Sequence, residues 1–270
     1  HLLSRRQRQM CIRDRYNGGS ALTINGNLAM KGTGSGNDAY GVFAAQKGGY
    51  GSTKTYQATG INIYDKDGAA FTLNGNLDMK VKGVGVDMRG SEKNAVTIAG
   101  GTIFTPDDGE EASYKAVAAT SGTFAMGMND AKTGSNGKDV VVQGTISLGK
   151  KGTVDLGLGS SKSRWTGIAD NKDGHPMNLY LSDGGMWENR RTSKDQYGLF
   201  AGSRVTKVAG GTAPAKAGVI VQKDSNPITI DHYSGHTILV YDHEASSPAT
   251  MIGGDTVSYT HLRAHETKAN

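Results

Sequence analysis

Apolar and polar residues alternate along most of this chain. Leu22 and Ile24 flank Thr23, and Leu28 and Met30 flank Ala29, so each short run puts its apolar side chains on one face of an extended strand. The same eleven positions return later: residues 21–31 read ALTINGNLAMK and residues 70–80 read AFTLNGNLDMK, identical at eight positions. In both copies two alternating strands flank an Asn-Gly-Asn corner, whose glycine is expected to supply the positive φ angles of a tight turn. Phe71, Leu73, Leu77, Met79 and Val81 repeat the inward pattern. One such unit can bury its apolar face only against another copy of itself, which predicts a stacked β-solenoid.

Weaker rungs continue the pattern at residues 95–98 (AVTI), 140–142 (VVV), 144–148 (GTISL) and 153–156 (TVDL), each beside a glycine. The two strong copies start 49 residues apart, which at roughly 20–25 residues per coil predicts two coils between them, with identical asparagines and leucines in vertical register. Residues 105–113 (TPDDGEEAS) and 129–138 (NDAKTGSNGK) read as loops leaving the solenoid at corners. No long stretch carries the apolar spacing, cap and stop of a helix. Residues 112–119 come nearest, and Val117 with its alanine neighbours is expected to be strand.

The two ends depart from this pattern and change the electrostatic reading. Neither residues 5–15 (RRQRQMCIRDR) nor residues 257–267 (VSYTHLRAHET) contain glycine. ATG TGT ATA AGA GAC encodes Met10 to Asp14, and its reverse complement encodes Val257 to His261. This resembles a translated library adapter read in both orientations, so residues 1–15 and 257–270 are taken as processing scars and residues 16–256 as an internal solenoid fragment. The first scar carries a net +4 and the second a net +1, which together account for the whole formal +5. The basic balance is therefore no argument for nucleic acid or an anionic membrane as a partner. The single cysteine, Cys11, lies in a scar, leaving no disulfide or thiolate metal site. Forty glycines and few aromatics suit many short strands and turns, and no apolar run approaches the ~20 residues of a spanning helix.

Residues 163–189, SRWTGIADNKDGHPMNLYLSDGGMWEN, carry a W-T-G-x-A-D phrase, a short turn, then N-L-x-L-x-x-G-x-x-W. This resembles the passenger domains of bacterial autotransporters, and residues 228–255 resemble the rungs that follow the phrase in such proteins. The resemblance implies an all-β, right-handed parallel β-helix displayed at the bacterial cell surface. The passenger would be secreted by the type V route and tethered to the outer membrane through a C-terminal barrel missing from this sequence. Trp165 and Trp187 are 22 residues apart, about one coil, so their rings are expected to stack on neighbouring rungs, with Leu179 and Leu181 inside and Tyr180 and Ser182 outside.

Candidate chemistry is sparse. His232, His236 and His243, beside Asp231, Asp242 and Glu244, form the densest set of metal-ligand types, but His232 and His236 on one strand would lie ~13 Å apart. Acidic pairs at Asp107-Asp108, Glu110-Glu111 and Asp65/Asp67 could serve a glycoside hydrolase, yet each sits in a glycine-bearing loop. Asp65 to Gly68 and Asp170 to Gly174 are oxygen-rich turns without the downstream glutamate of a calcium loop. The glycine runs at 32–36 and 83–85 lack the strand–helix context of a phosphate cradle, and no G-x-S-x-G elbow occurs. The expectation is a non-enzymatic adhesin or structural stalk, monomeric and without catalytic, cofactor or metal residues. Its partners would be protein or glycan ligands on host or neighbouring cells. The alternative is a polysaccharide-degrading β-helix enzyme; a trimeric phage tail-spike type solenoid is the third reading. The first rung, lacking a covering neighbour, should leave Leu22, Ile24, Leu28 and Met30 less buried than Phe71, Leu73, Leu77 and Met79.

Overall fold

The alternating runs become strands that stack instead of folding back. The structure, a computed structural model, describes residues 21–32, 43–46, 58–106, 114–192, 202–223, 227–241 and 250–252. Over these residues nineteen strands form one continuous sheet in which every pairing between named strands is parallel. The only helical turn described is the short 3-10 segment Pro214–Lys216. The fold is an all-β parallel solenoid. Its described strands run from Ala21 to Ile252, and both proposed scars lie outside the described residues.

Three faces wind around one apolar interior. On the first, Leu22, Phe71, Val96, Phe124, Val154 and Met177 stack in direct register. The second stacks Met30, Met79, Ile103, Val142, Trp165 and Trp187, with Ile220 next. The third stacks Ile61, Val86, Val117, Ile146 and Ala169. These side chains belong to a single continuous core. Each large one buried this way contributes roughly 1.5–3 kcal/mol, so the interior column is the main source of stability. Corners are fixed by side-chain amides. Asn94 accepts from the Ala69 N–H at 2.8 Å and donates to the carbonyls of Asp65 and Arg89 at 3.1 and 2.7 Å. Its own carbonyl accepts from Thr123 in the next coil at 2.8 Å, so one asparagine ties successive coils together.

The strong repeat is in vertical register, but the spacing estimate needs correction. The two copies are adjacent: Ala21 pairs with Ala70, Leu22 with Phe71, and Met30 with Met79. Of the residues between them, Phe43–Gln46 and Ala58–Tyr64 both lie on the third face and pair with each other, so two strands stack there between one copy and the next. Elsewhere one step covers 25 residues from Phe71 to Val96 and 22 from Trp165 to Trp187. The asparagines do stack: Asn74 donates to the Asn25 carboxamide at 2.8 Å, and the Asn76 N–H donates to that of Asn27 at 2.9 Å.

The role of the corner glycine also differs from expectation. Neither Gly26 nor Gly75 has a positive φ. At Gly75 the constraint is space, because a Cβ there would lie 2.3 Å from the Gly26 carbonyl oxygen, whereas one on Gly26 would meet nothing within 4 Å. Gly75→Ala is therefore expected to loosen the first coil by about 1–3 kcal/mol of local stability, while Gly26→Ala leaves it unchanged or slightly raised. Amide hydrogen exchange across residues 21–32 in the two variants checks this, and equal protection in both would contradict it.

Other expectations hold. Lys115–Met126 is a strand carrying Val117, and Trp165 and Trp187 are adjacent and stacked. Phe71, Leu73, Leu77 and Met79 are all at most 2% exposed, Met30 is 6% exposed, and Leu22, Ile24 and Leu28 are half-buried. Leu179 and Leu181 are buried inside and Ser182 is half-buried. Tyr180 is a correction: it leaves the interior but is buried, because the loop over residues 127–139 folds onto it. Its hydroxyl donates to the Lys132 carbonyl at 3.0 Å, and the Lys207 ammonium sits 5.2 Å from its ring centroid.

Candidate functional site

The outward-pointing positions of the strands, with the loops between them, are where chemistry could be presented. On the first face the outer column changes character along the rod. Thr23, Thr72 and Thr97 stack in register, then Ala125, then Asp155, Asn178, Lys207 and His232. His232 is exposed and lies beside Lys207. His236 is not on the same strand, contrary to the sequence reading: Gly235, at φ +78°, turns the chain first, and His236 then exchanges backbone hydrogen bonds with Gly211 at 2.9 Å. His243, Asp242 and Glu244 lie outside the described residues. Asp231 accepts from the Arg204 Nε at 3.2 and 3.1 Å. Among the described residues no three His, Cys, Asp or Glu side chains are placed to hold one metal ion.

Asp107, Asp108, Glu110 and Glu111 lie outside the described residues, with most of the 105–113 loop. The other acidic turns are used by the backbone. Asp65 is buried and its Oδ1 accepts from the Asp67 N–H at 2.8 Å. In the 170–174 turn, Asn171 closes the loop by accepting from the His175 N–H and donating to its carbonyl, both at 2.8 Å. Asp170 accepts from the Ser147 hydroxyl at 3.2 Å, which in turn accepts from Lys115 Nζ at 3.1 Å. Of the glycine runs, 83–85 opens the strand Gly83–Arg89, where a Cβ on Gly85 would lie 2.5 Å from the Ala116 carbonyl oxygen. Residues 33–36 of the other run are outside the described residues.

Two arrangements were not visible in the sequence reading. The first joins charges from adjacent coils on the outside of the second face. Glu188 stacks over Thr166 and is held by both Arg164 and Arg190, the latter through Nε at 3.2 Å. The Glu188 side chain is only 8% exposed. Each carboxylate oxygen already accepts from a guanidinium, which suits an ion pair locking two coils. Parity beside Trp187 places Glu188 outward, and knowledge of the coil step would have put it over Thr166.

The second arrangement is a groove of about 620 Å³ at the corner between the first and second faces. Asn27, Asn76 and Thr102 line it from the stacked rungs, and Lys138 and Asp139 from the loop wall. Gly75 and Gly101 bring backbone to its floor. The wall is fixed on several sides: Asn136 Nδ2 donates to the Ala99 carbonyl at 2.7 Å, and the Gly101 N–H donates to the Asp139 carbonyl at 2.8 Å. Lys138 Nζ reaches the Asn74 carbonyl at 3.1 Å, and Asp139 accepts from Ser160 at 2.7 Å. The groove is open and its lining mixes polar and apolar surface, Leu77 included, with one cation and one anion side by side. No family model, curated protein or solved structure matches the chain in comparison.

Proposed function

We propose that the chain is a non-catalytic passenger region of a secreted, surface-displayed bacterial autotransporter, acting as an adhesive or structural rod. One observation supports this reading above the others: the W-T-G-x-A-D and G-x-x-W phrase that carries the family resemblance places the two largest fully buried side chains of the described core on successive coils. The rings of Trp165 and Trp187 stack at 4.9 Å with 5° between their planes. Each indole N–H donates to the carbonyl of a glycine one coil back, Trp165 to Gly144 at 3.1 Å and Trp187 to Gly167 at 3.0 Å. A rod stabilised coil by coil can extend loops and grooves away from a membrane without a large globular core, which is what presentation requires.

The enzymatic alternative needs acidic and basic groups converging on an open cleft. The convergences found among the described residues include Glu188 with Arg164 and Arg190 and Asp231 with Arg204, each an ion pair, and the groove at Lys138 offers Asp139 already bonded to Ser160. Fusing residues 16–256 between a secretion signal and a translocator barrel tests the proposal. Surface exposure by protease accessibility and adhesion of the displaying cells to epithelial monolayers are the expected results. Release of reducing or unsaturated ends from polysaccharides by the purified chain would overturn it in favour of the enzyme, and a trimer in sedimentation would favour the tail-spike class.

A further inference from the structure

We infer that the groove between the stacked asparagine corners and the 136–139 wall is a binding site for a neutral, hydroxyl-rich oligosaccharide. This deepens the adhesive reading and rests on it. Exposed carboxamides of Asn27 and Asn76, the Thr102 hydroxyl and the backbone at Gly75 and Gly101 offer donors and acceptors in mixture, which matches sugar hydroxyls that both donate and accept. Among the described residues the lining contains no aromatic, arginine or methionine side chain, the usual anchors of a protein partner. Lys138 stands next to Asp139, which Lys162 also approaches at 3.9 Å, so charges of both signs are interspersed at the wall where a polyanion site would set cations alone.

Geometry adds direction. Asn25 over Asn74 and Asn27 over Asn76 repeat the same carboxamides one rung apart, ~4.8 Å along the rod. A linear glycan lying along the axis would meet the same carboxamide on two successive rungs, Asn27 and Asn76, and the backbone of Gly100 and Gly101 on the third. The wall is organised before any ligand arrives. Asn136 accepts from the Lys138 N–H at 2.9 Å while its Nδ2 holds Ala99, and the loop beyond it is closed by the Met128–Ser135 bridge and capped by the Tyr180 hydroxyl on Lys132. Lys132 is at φ +52°, a left-handed conformation that this capture holds in place. A preorganised polar wall lowers the ordering cost that makes shallow sites weak.

The test uses the full chain with cellohexaose, maltohexaose and chitohexaose as probes and a heparin hexasaccharide as the polyanion control, read by backbone amide chemical shifts at millimolar ligand. The expected result is that at least one neutral probe shifts amides of Asn27, Asn76 and Lys138 while heparin does not. Asn76→Ala combined with Lys138→Ala should weaken that probe by at least about fivefold, equivalent to one or two hydrogen bonds. Both side chains are surface groups and the Asn76 N–H bond to Asn27 is retained, so the fold should persist by circular dichroism; His232→Ala, remote on the first face, should bind as the parent does. Failure of all three neutral probes, shifts mapping away from the groove, or a heparin response at Lys138 overturns the site. Displaying cells that adhere equally well with and without the double substitution would overturn the groove and leave the adhesive reading standing. Cells that never adhere, in the absence of oligosaccharide binding, would remove both.

Discussion

Trp187→Ala is expected to destabilise the solenoid by about 3–5 kcal/mol. The side chain is fully buried, with Trp165 stacked on one side and Ile220 in register on the other. Truncation removes an aromatic contact, opens a cavity that neither rigid coil can close, and strips the Gly167 carbonyl of its indole donor. Because a solenoid is stabilised by nearest-neighbour contacts, the loss falls on the interface joining the coils before Trp187 to those after it. Denaturant unfolding followed by circular dichroism should therefore shift to lower concentration and show a smaller slope or a second transition. The chain has two tryptophans, so in this variant Trp165 alone reports the broken interface by fluorescence. Trp187→Phe retains a ring in the stack and loses the indole hydrogen bond, for an expected cost of about 1 kcal/mol plus repacking. A Trp187→Ala midpoint indistinguishable from the parent's would show that the stack contributes little to stability.

Much of this architecture was legible because strand parity is a local property. Leu22, Phe71 and Leu179 could be assigned to the interior from their immediate neighbours, and the 22-residue interval between the tryptophans matched a coil. The coil step itself was harder to read. The 49-residue interval reads as two coils because nothing local reveals that two third-face strands, Phe43–Gln46 and Ala58–Tyr64, lie between copies that are themselves in contact. The Asn-Gly-Asn pattern points to a conformational role for the corner glycine, whereas the constraint at Gly75 comes from Gly26 in the coil below, a contact between residues 49 apart. Parity puts Tyr180 outside the interior, where a loop some fifty residues earlier in the chain covers it. Parity also fails to distinguish in from out at Gly218–Gln222 and Thr237–Tyr241, where Ile220 and Leu239 pack inward while Val219 and Ile238 stack outside.

The candidate groove was less legible than the fold for a related reason. Its floor comes from the Asn-Gly-Asn corners and Gly101, its wall from a loop that the sequence marked only as polar, and its position depends on how many residues each coil consumes. The sequence did show that the asparagines would stack. Their value as a ligand surface emerges only when residues 136–139 are set against them, with Lys138 reaching a carbonyl 64 residues away. The stronger chemical signals in the sequence, the histidine cluster and the acidic pairs, are dispersed by a turn, used by backbone groups, or outside the described residues.

Gly101→Ala should be the most damaging of the small substitutions, because two independent constraints meet at this residue. Its φ of +109° is a conformation that L side chains rarely adopt, and a Cβ would lie 2.1 Å from the Leu77 carbonyl oxygen and 2.4 Å from the Leu77 nitrogen. Both contacts are backbone atoms of the coil below, so no rotamer change can relieve them, and Val140 of the coil above pairs with Gly101 from the other side. The expected loss is at least about 3 kcal/mol, from backbone strain and overpacking together. Gly137→Ala provides the comparison within the same groove. It also has a positive φ, +75°, but nothing lies within 4 Å of its Cβ, so only the conformational cost of about 1 kcal/mol is expected. The difference between the two midpoints in chemical denaturation isolates the contact between coils from the strain of the backbone. Equal losses in the two variants would show that the close approach of successive coils at this corner contributes little, and the tight stacking that forms the floor of the groove would lose its support.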